Sequence, residues 1–199
     1  MRTPAAAFRE TISRWEGLLS VDPVDVGNYW RGVLVGSKYG VTAGALSAWR
    51  HYLGSPWPDE IKRADIEAIT IEDAVNVGVV LYYEAPGWHR LPFSPAVESL
   101  VDFGWGAGAR LAVKEMQKMI AVADDGVIGP ITQAAFAQWL ADTGKGLALI
   151  KIYNVRVNYY KLCVDRRPSN GKFLGGWINR ARSFLSENAE WYAKWSTQE

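Results

Sequence analysis

The sequence predicts a mainly α-helical fold of the α+β class, a helical bundle with a small β-hairpin inserted after the first helix. Apolar residues recur at helical spacing through most of the 199 residues. One glycine-rich segment near the N-terminus breaks that pattern. A chain of this length buries a core without disulfides, and the lone Cys163 has no partner within the chain.

The first helix is predicted to run from about Pro4 to Leu19. Its apolar residues recur at steps of four, three and four and form one buried face: Phe8, Ile12, Trp15 and Leu19. Glu16 lies at the edge of this face. Burial beside Trp15 is expected to raise the pKa of Glu16, as a general acid near neutral pH requires. The alternative is an ordinary solvated acid at a helix edge.

The segment from 21 to 41 is rich in glycine and turn residues and predicts the hairpin. Asp25 lies in a turn at its start and is expected to be more solvated and ionised. Two carboxyls whose surroundings separate their pKa values are what glycosidic bond cleavage requires. Alternatively, Asp25 is a turn residue bonded to its own backbone.

Start signals predict the later helices. Thr42 caps a helix that ends near Leu53. Thr70 and Asp73 form a capping box for a helix that ends before Pro86. Ser94 precedes a helix that begins with proline, and the glycines at 104–108 interrupt this helix or pack it tightly. Helical patterns then cover four further ranges: Ala109 to Val122, Ile131 to Ala141, Leu147 to Asp165 and Trp177 to Trp195.

Composition argues against several function classes. The formal net charge is +1, so no overall field selects nucleic acid, although the last third is basic. Only His51 and His89 accompany the single cysteine, which argues against a zinc site or a thiol nucleophile, and we expect no metal and no cofactor. The N-terminus shows no signal peptide and no run reaches 18 apolar residues, so stable membrane insertion is not expected.

Three early motifs follow one another in an informative order: Glu16-Gly17-Leu18-Leu19, Asp25-Val26-Gly27-Asn28 and Ser37-Lys38-Tyr39-Gly40-Val41-Thr42. They resemble the opening of the phage-type muramidases of glycoside hydrolase family 108, which reads Glu-Gly-Gly-Tyr, then Asp-x-Gly-Gly, then Thr-x-x-Gly-Ile-Thr. This chain lacks the second glycine and the tyrosine of the first motif. It also carries extra residues between the last two motifs.

The resemblance continues along the chain. Two later segments are similar to family patterns. One is Tyr83 to Trp88, and the other is Asp102 with the glycines and Met116-Gln117 that follow it. Residues 125–132 and 173–180 resemble the third type of peptidoglycan-binding domain. We therefore expect a lysozyme-like catalytic region at 1–106 and a helical peptidoglycan-binding region at 107–199, packed into one globule.

The family implies hydrolysis of the β-1,4 bond between N-acetylmuramic acid and N-acetylglucosamine. The resemblance assigns the proton donor to Glu16 and, by analogy with related phage lysozymes, a second carboxylate and a hydroxyl to Asp25 and Ser37. Tyr39 and Trp105 are candidates to flank sugars, with core packing as the alternative. Thr42 and Asp102 are further substrate-binding candidates, with helix capping and structural hydrogen bonding as their alternatives.

The expected partner is bacterial peptidoglycan, acted on by a monomer. An endolysin without a signal peptide would reside in the host cytoplasm and need a holin to reach the wall, although a secreted or injected effector would look the same. Two rival functions stay open at this point. One is a lytic transglycosylase, which needs one acid and leaves an anhydro sugar, and the other is a non-catalytic wall-binding or virion module.

Overall fold

A computed structural model describes residues 2–56 and 60–186 of the chain. The prediction of a mainly helical fold with a small β element is confirmed. The helices of the described residues are α1 Pro4–Trp15, α2 Ala43–Tyr52, α3 Arg63–Glu67, α4 Ile71–Val77, α5 Pro95–Ala107, α6 Ala109–Met119, α7 Pro130–Thr143, α8 Lys145–Arg166 and α9 Gly171–Ser186. The strands are β1 Tyr29–Trp30, β2 Val33–Leu34, β3 Ser37–Lys38 and β4 Val41–Thr42.

The chain divides into two compact units, Met1–Ala85 and Pro86–Glu199. The first contains α1 to α4 and the four strands, and the second contains α5 to α9. The predicted functional division into 1–106 and 107–199 stays a prediction.

Two consecutive hairpins replace the single predicted one. The first hairpin pairs β1 with β2, the second pairs β3 with β4, and both are antiparallel. Each has a two-residue loop, Arg31-Gly32 in the first and Tyr39-Gly40 in the second, and all four of these residues have positive φ. Positive φ at both loop positions is the turn geometry that matches the natural twist of paired strands, and glycine accommodates it readily.

Helix α1 is shorter than predicted, because it ends at Trp15 rather than Leu19. Phe8 and Ile12 are buried as expected, whereas Leu19 is 41% exposed. The chain leaves the helix at Glu16, whose backbone is extended (φ −101°, ψ 135°). Pairing of the following residues with the second hairpin overrides the helical pattern.

Helix α1 packs on α4 and on the π-helical segment Gly78–Glu84 that continues α4. A Cβ placed on Gly78 would lie 2.5 Å from a ring carbon of Phe8. The absence of a side chain at Gly78 therefore allows the Phe8 ring to lie directly on the backbone. This contact fixes the helix that ends at Trp15, directly before Glu16.

Most local start signals are confirmed. Thr42, Thr70 and Ser94 each accept a backbone hydrogen bond as N-caps, and Asp73 completes the capping box. The five-residue helix α3 was not predicted. Helix α5 runs through to Ala107, and a Cβ on Gly104 would meet Ala109 Cα at 3.3 Å, so the glycine packs α5 tightly against α6.

In the second unit α5 packs with α6 and α8, and α8 packs along α9. Helix α9 begins at Gly171, six residues before the predicted start at Trp177. The predicted continuation to Trp195 lies outside the described residues.

Candidate active site

Glu16 is the first residue beyond α1, and it is half-buried. Its backbone N–H still donates to the Ile12 carbonyl at 3.1 Å, so the last turn of the helix fixes its position. The sequence predicted that this acid lies on the helix, and the structure places it directly after the last helical residue. The segment that follows, residues 17–25, is called the linking loop.

The linking loop is paired with the second hairpin. Ser20 and Ser37 exchange two backbone hydrogen bonds of 2.8 and 2.9 Å, and the Tyr39 N–H donates to the Gly17 carbonyl at 3.0 Å. The residue directly after Glu16 is thereby joined to the hairpin that carries Ser37. Two of the three predicted catalytic residues therefore belong to hydrogen-bonded neighbouring segments.

Asp25 ends the linking loop and is half-buried. Its Oδ1 accepts a hydrogen bond from the Gly27 N–H at 2.8 Å and caps a single 3₁₀ turn, Val26–Asn28. This is the turn-forming role that the sequence left as an alternative. Glu16 and Asp25 are both half-buried. The prediction that Asp25 is more exposed to solvent than Glu16 is therefore not met by their burial.

Thr42 approaches the same turn from the second hairpin. A Cβ on Gly27 would lie 3.2 Å from both Asp25 Oδ1 and Thr42 Cγ2, so these two side chains line one small space. The Thr42 hydroxyl oxygen accepts from the Ala45 N–H at 3.3 Å and caps α2. Its helix-capping role is therefore observed, and substrate binding by Thr42 stays a prediction.

Tyr39 occupies the loop of the second hairpin with φ +52°. Its ring is half-buried, and the Lys38 ammonium lies 5.3 Å from the ring centroid. A partly exposed ring beside this loop could stack on a sugar, and that role stays a prediction.

Asp102 lies in the second unit and is almost wholly buried, with its side chain 3% exposed. Arg156 donates to its Oδ2 at 2.6 Å and Arg180 to its Oδ1 at 2.8 Å. Burial alone would raise the pKa of Asp102, but the charges and hydrogen bonds of Arg180 and Arg156 outweigh it and hold the pKa below its usual range. The carboxylate is thus ionised inside the protein.

This arrangement favours the structural alternative for Asp102 over sugar binding, since both oxygens accept hydrogen bonds from the guanidinium groups of Arg156 and Arg180. Trp105 is likewise only 7% exposed and belongs to the core of its unit, which favours packing over stacking on a sugar. The sequence reasoning missed Arg156 as the partner of Asp102. A signal was present, because Ile152, Arg156 and Tyr160 recur at steps of four along the buried side of α8.

Gln117 organises the turn at 125–132 in the second unit. Its amide nitrogen donates to Asp125 Oδ1 at 2.8 Å and to the Val127 carbonyl at 3.0 Å, and its amide oxygen accepts from the Gly126 N–H at 2.8 Å. Hydrogen bonds from Gln117 and from the Val127 N–H lower the pKa of Asp125. The Met116-Gln117 and Asp125-Gly126 motifs therefore meet in one hydrogen-bonded turn.

Within residues 2–56 and 60–186, no group of three histidine, cysteine or acidic side chains is placed to hold a metal ion. No helix of that part of the chain combines the length and the apolar character needed to cross a membrane.

Two family models match the chain in succession. The model described as Glycosyl hydrolase 108 matches residues 9–108, about half of the chain, and spans the three early motifs. The chain belongs to glycosyl hydrolase family 108. The family described as Predicted Peptidoglycan domain matches residues 111–182 of this family 108 protein.

Among solved structures, the family 108 protein is similar to SagA of Brucella abortus. The TM-score is 0.68 and the identity 24%, over 92% of this chain and 95% of that one. This likeness supports the fold alone. No curated protein matches the sequence.

The protein is therefore a glycoside hydrolase of the lysozyme-like class, and the two matched regions make peptidoglycan its substrate and partner. The motif that contains Glu16 stands at the end of α1, and the motifs that contain Asp25 and Ser37 stand at the two hairpins. The family 108 match continues beyond the first compact unit, which ends at Ala85.

Gly36 links the two hairpins and should be intolerant of a side chain. It has φ +93°, and a Cβ there would lie 2.7 Å from the Ser20 carbonyl oxygen. We expect Gly36→Ala to strain the backbone and push the linking loop off the second hairpin, lowering the unfolding free energy by about 2 to 4 kcal/mol. Chemical denaturation of the full chain measures this loss.

Gly32→Ala is the matched control, because Gly32 has φ +82° but nothing within 4 Å of its missing Cβ. It should cost only the strain of positive φ, about 1 kcal/mol. Equal losses for the two variants would show that the approach of Gly36 to Ser20 is unimportant.

Proposed function

We propose that this enzyme is an N-acetylmuramidase that cleaves the β-1,4 bond between N-acetylmuramic acid and N-acetylglucosamine, with Glu16 as the proton donor. The pairing of the linking loop with the second hairpin carries the proposal. It joins the segment after Glu16 to the strand of Ser37, and Asp25 ends the same loop. Three residues that family motifs supply are thereby held in one hydrogen-bonded part of the first unit.

The proposed chemistry divides between the two carboxyls. Glu16 protonates the oxygen of the leaving sugar as the bond breaks, and Asp25 activates a water or stabilises the positive charge that develops on the ring. Ser37 positions that water. If Asp25 acts through water on the opposite face, the product is inverted and the carboxyls are about 6.5 to 9.5 Å apart, whereas about 5 to 5.5 Å suits retention.

Asp25→Asn tests this division. The substitution keeps an oxygen for the Gly27 N–H but removes the charge, so the turn should survive while the rate on purified peptidoglycan falls by about 10- to 100-fold. Proton NMR of the first product formed by the wild type then gives its anomeric configuration, and we expect inversion.

An unchanged rate in a folded Asp25→Asn protein would contradict the proposed role of Asp25. If the product also lacked a reducing end, the enzyme would be a lytic transglycosylase, which needs one acid only. The matching substitution Asp22→Asn is the control, because Asp22 Oδ1 accepts from the Val24 N–H at 2.8 Å in the same loop and has no proposed catalytic role.

We also propose that the enzyme is a bacteriophage endolysin and acts as a monomer. It would accumulate in the host cytoplasm and reach the wall after the inner membrane is opened. The order of a catalytic region followed by a peptidoglycan domain supports this bacteriolytic and antimicrobial role. Expression in bacteria should cause lysis only when a holin or a permeabilising agent is added. Lysis on expression alone would contradict the proposed route.

A further inference from the structure

We infer that Asn28 is a positioning residue for the reaction, because it fixes the linking loop and Asp25 against the two hairpins. The inference rests on the proposed function of Asp25. Asn28 stands where the family motif has its second glycine, so the motif itself gives no role to this side chain.

The side chain of Asn28 is fully buried and binds the linking loop. Its amide nitrogen donates to Ser20 Oγ at 3.2 Å and to the Asp22 carbonyl at 3.0 Å. The Asp22 carbonyl accepts only, so it fixes which end of the amide faces the loop. One side chain thus holds the two halves of the loop between Glu16 and Asp25.

The backbone of Asn28 completes the connection. Its carbonyl accepts from the Val35 N–H at 3.0 Å and the Gly36 N–H at 2.9 Å, in the link between the hairpins, and its N–H donates to the Asp25 carbonyl at 3.1 Å. Loop, turn and hairpins therefore meet at this one residue. Ser20, which the side chain holds, is the residue that pairs with Ser37.

The two ends of the Asn28 amide differ in their contacts. Asn28 Oδ1 is buried and has no hydrogen-bond partner among the described residues. The hydrogen bonds that this side chain makes to the described residues are therefore those of its nitrogen. The two donor bonds to the linking loop are what the amide contributes, and they act on the segment that ends in Asp25.

The consequence is a link between Asn28 and catalysis that runs through Asp25. Loss of the amide would leave Asp25 in the chain but free its segment to move relative to Glu16. A displacement of about 1 Å in a catalytic group can lower a rate by about 100-fold. The loss should appear in kcat, because the substitution displaces Asp25 and leaves the residues of the peptidoglycan domain, 111–182, unchanged.

A double-mutant cycle tests the inference in the full-length enzyme. We expect Asn28→Ala to lower kcat on purified peptidoglycan by about 10- to 100-fold with little change in KM. In an Asp25→Asn background the same substitution should lower kcat by less than about 3-fold, because the group it positions is already disabled. Circular dichroism and thermal unfolding select a temperature at which all four proteins are folded.

Val41→Ala is the matched control, because Val41 is fully buried in the second hairpin and makes no side-chain hydrogen bond to the loop. It should lower stability but leave kcat within about 3-fold of wild type in both backgrounds. Equal losses from Asn28→Ala in the two backgrounds, or an equal kcat loss from Val41→Ala, would overturn the inference and leave the proposed function standing. An unchanged rate for Asp25→Asn alone would overturn the proposed role of Asp25 and this inference together.

Discussion

Glu16→Gln is expected to abolish hydrolysis of peptidoglycan while leaving the fold intact. Glutamine keeps the size and the polarity of the side chain, but its amide is too weak an acid to protonate the leaving oxygen. Loss of a general acid lowers a rate by about 100- to 10,000-fold. Because Glu16 follows α1 and its backbone makes the capping contact, the substitution should not disturb the helix. Release of soluble muropeptides measures the rate.

Glu10→Gln provides the matched control on the same helix. Glu10 pairs with Arg2 at the surface, where its side chain is 51% exposed, so its loss should leave the rate unchanged. A correctly folded Glu16→Gln protein with the rate of Glu10→Gln would remove Glu16 from the mechanism.

Arg156→Met should cause a large loss of stability in the second unit. Arg156 is fully buried and donates to Asp102 Oδ2, to the Ser99 carbonyl and hydroxyl, and to the Tyr160 hydroxyl. Removing one partner of a buried ion pair leaves the other charge without full compensation, which costs about 3 to 5 kcal/mol. Denaturant unfolding followed by tryptophan fluorescence measures this change.

Arg50→Met is the control variant, because it removes an arginine from a more exposed ion pair. Arg50 and Asp65 lie at the same 2.6 Å separation as Arg156 and Asp102, but their side chains are 31% and 28% exposed. We expect this variant to lose about 1 kcal/mol or less. Similar losses in the two variants would show that the Asp102 cluster contributes no more than a surface pair.

The helix starts could be predicted because their causes are local. Thr42, Thr70 and Ser94 bond to backbone groups three residues away, within reach of any sequence pattern. The end of α1 could not be predicted in the same way. It depends on the bond from Tyr39 to Gly17, two residues far apart in the chain, and this pairing overrides an apolar pattern that continues to Leu19.

The candidate site also depends on long-range contacts that the sequence pattern does not reveal. The motifs identified Glu16, Asp25 and Ser37, and the structure adds the linking loop that ties their segments together. The sequence did not show that Asp102 is enclosed by arginines from two distant helices, and it gave Asn28 no role. In each case the missing information is a long-range contact of a buried polar group. The steps of four along α8 place Arg156 on the buried side of its helix but do not identify the residue that it contacts.

Mass spectrometry of purified peptidoglycan digested by wild type and by Glu16→Gln tests the central claim most directly. We expect reducing muropeptides that end in N-acetylmuramic acid from the wild type and none from Glu16→Gln. Anhydro sugars, reducing ends on N-acetylglucosamine or equal products from both proteins would contradict a muramidase that uses Glu16 as its acid.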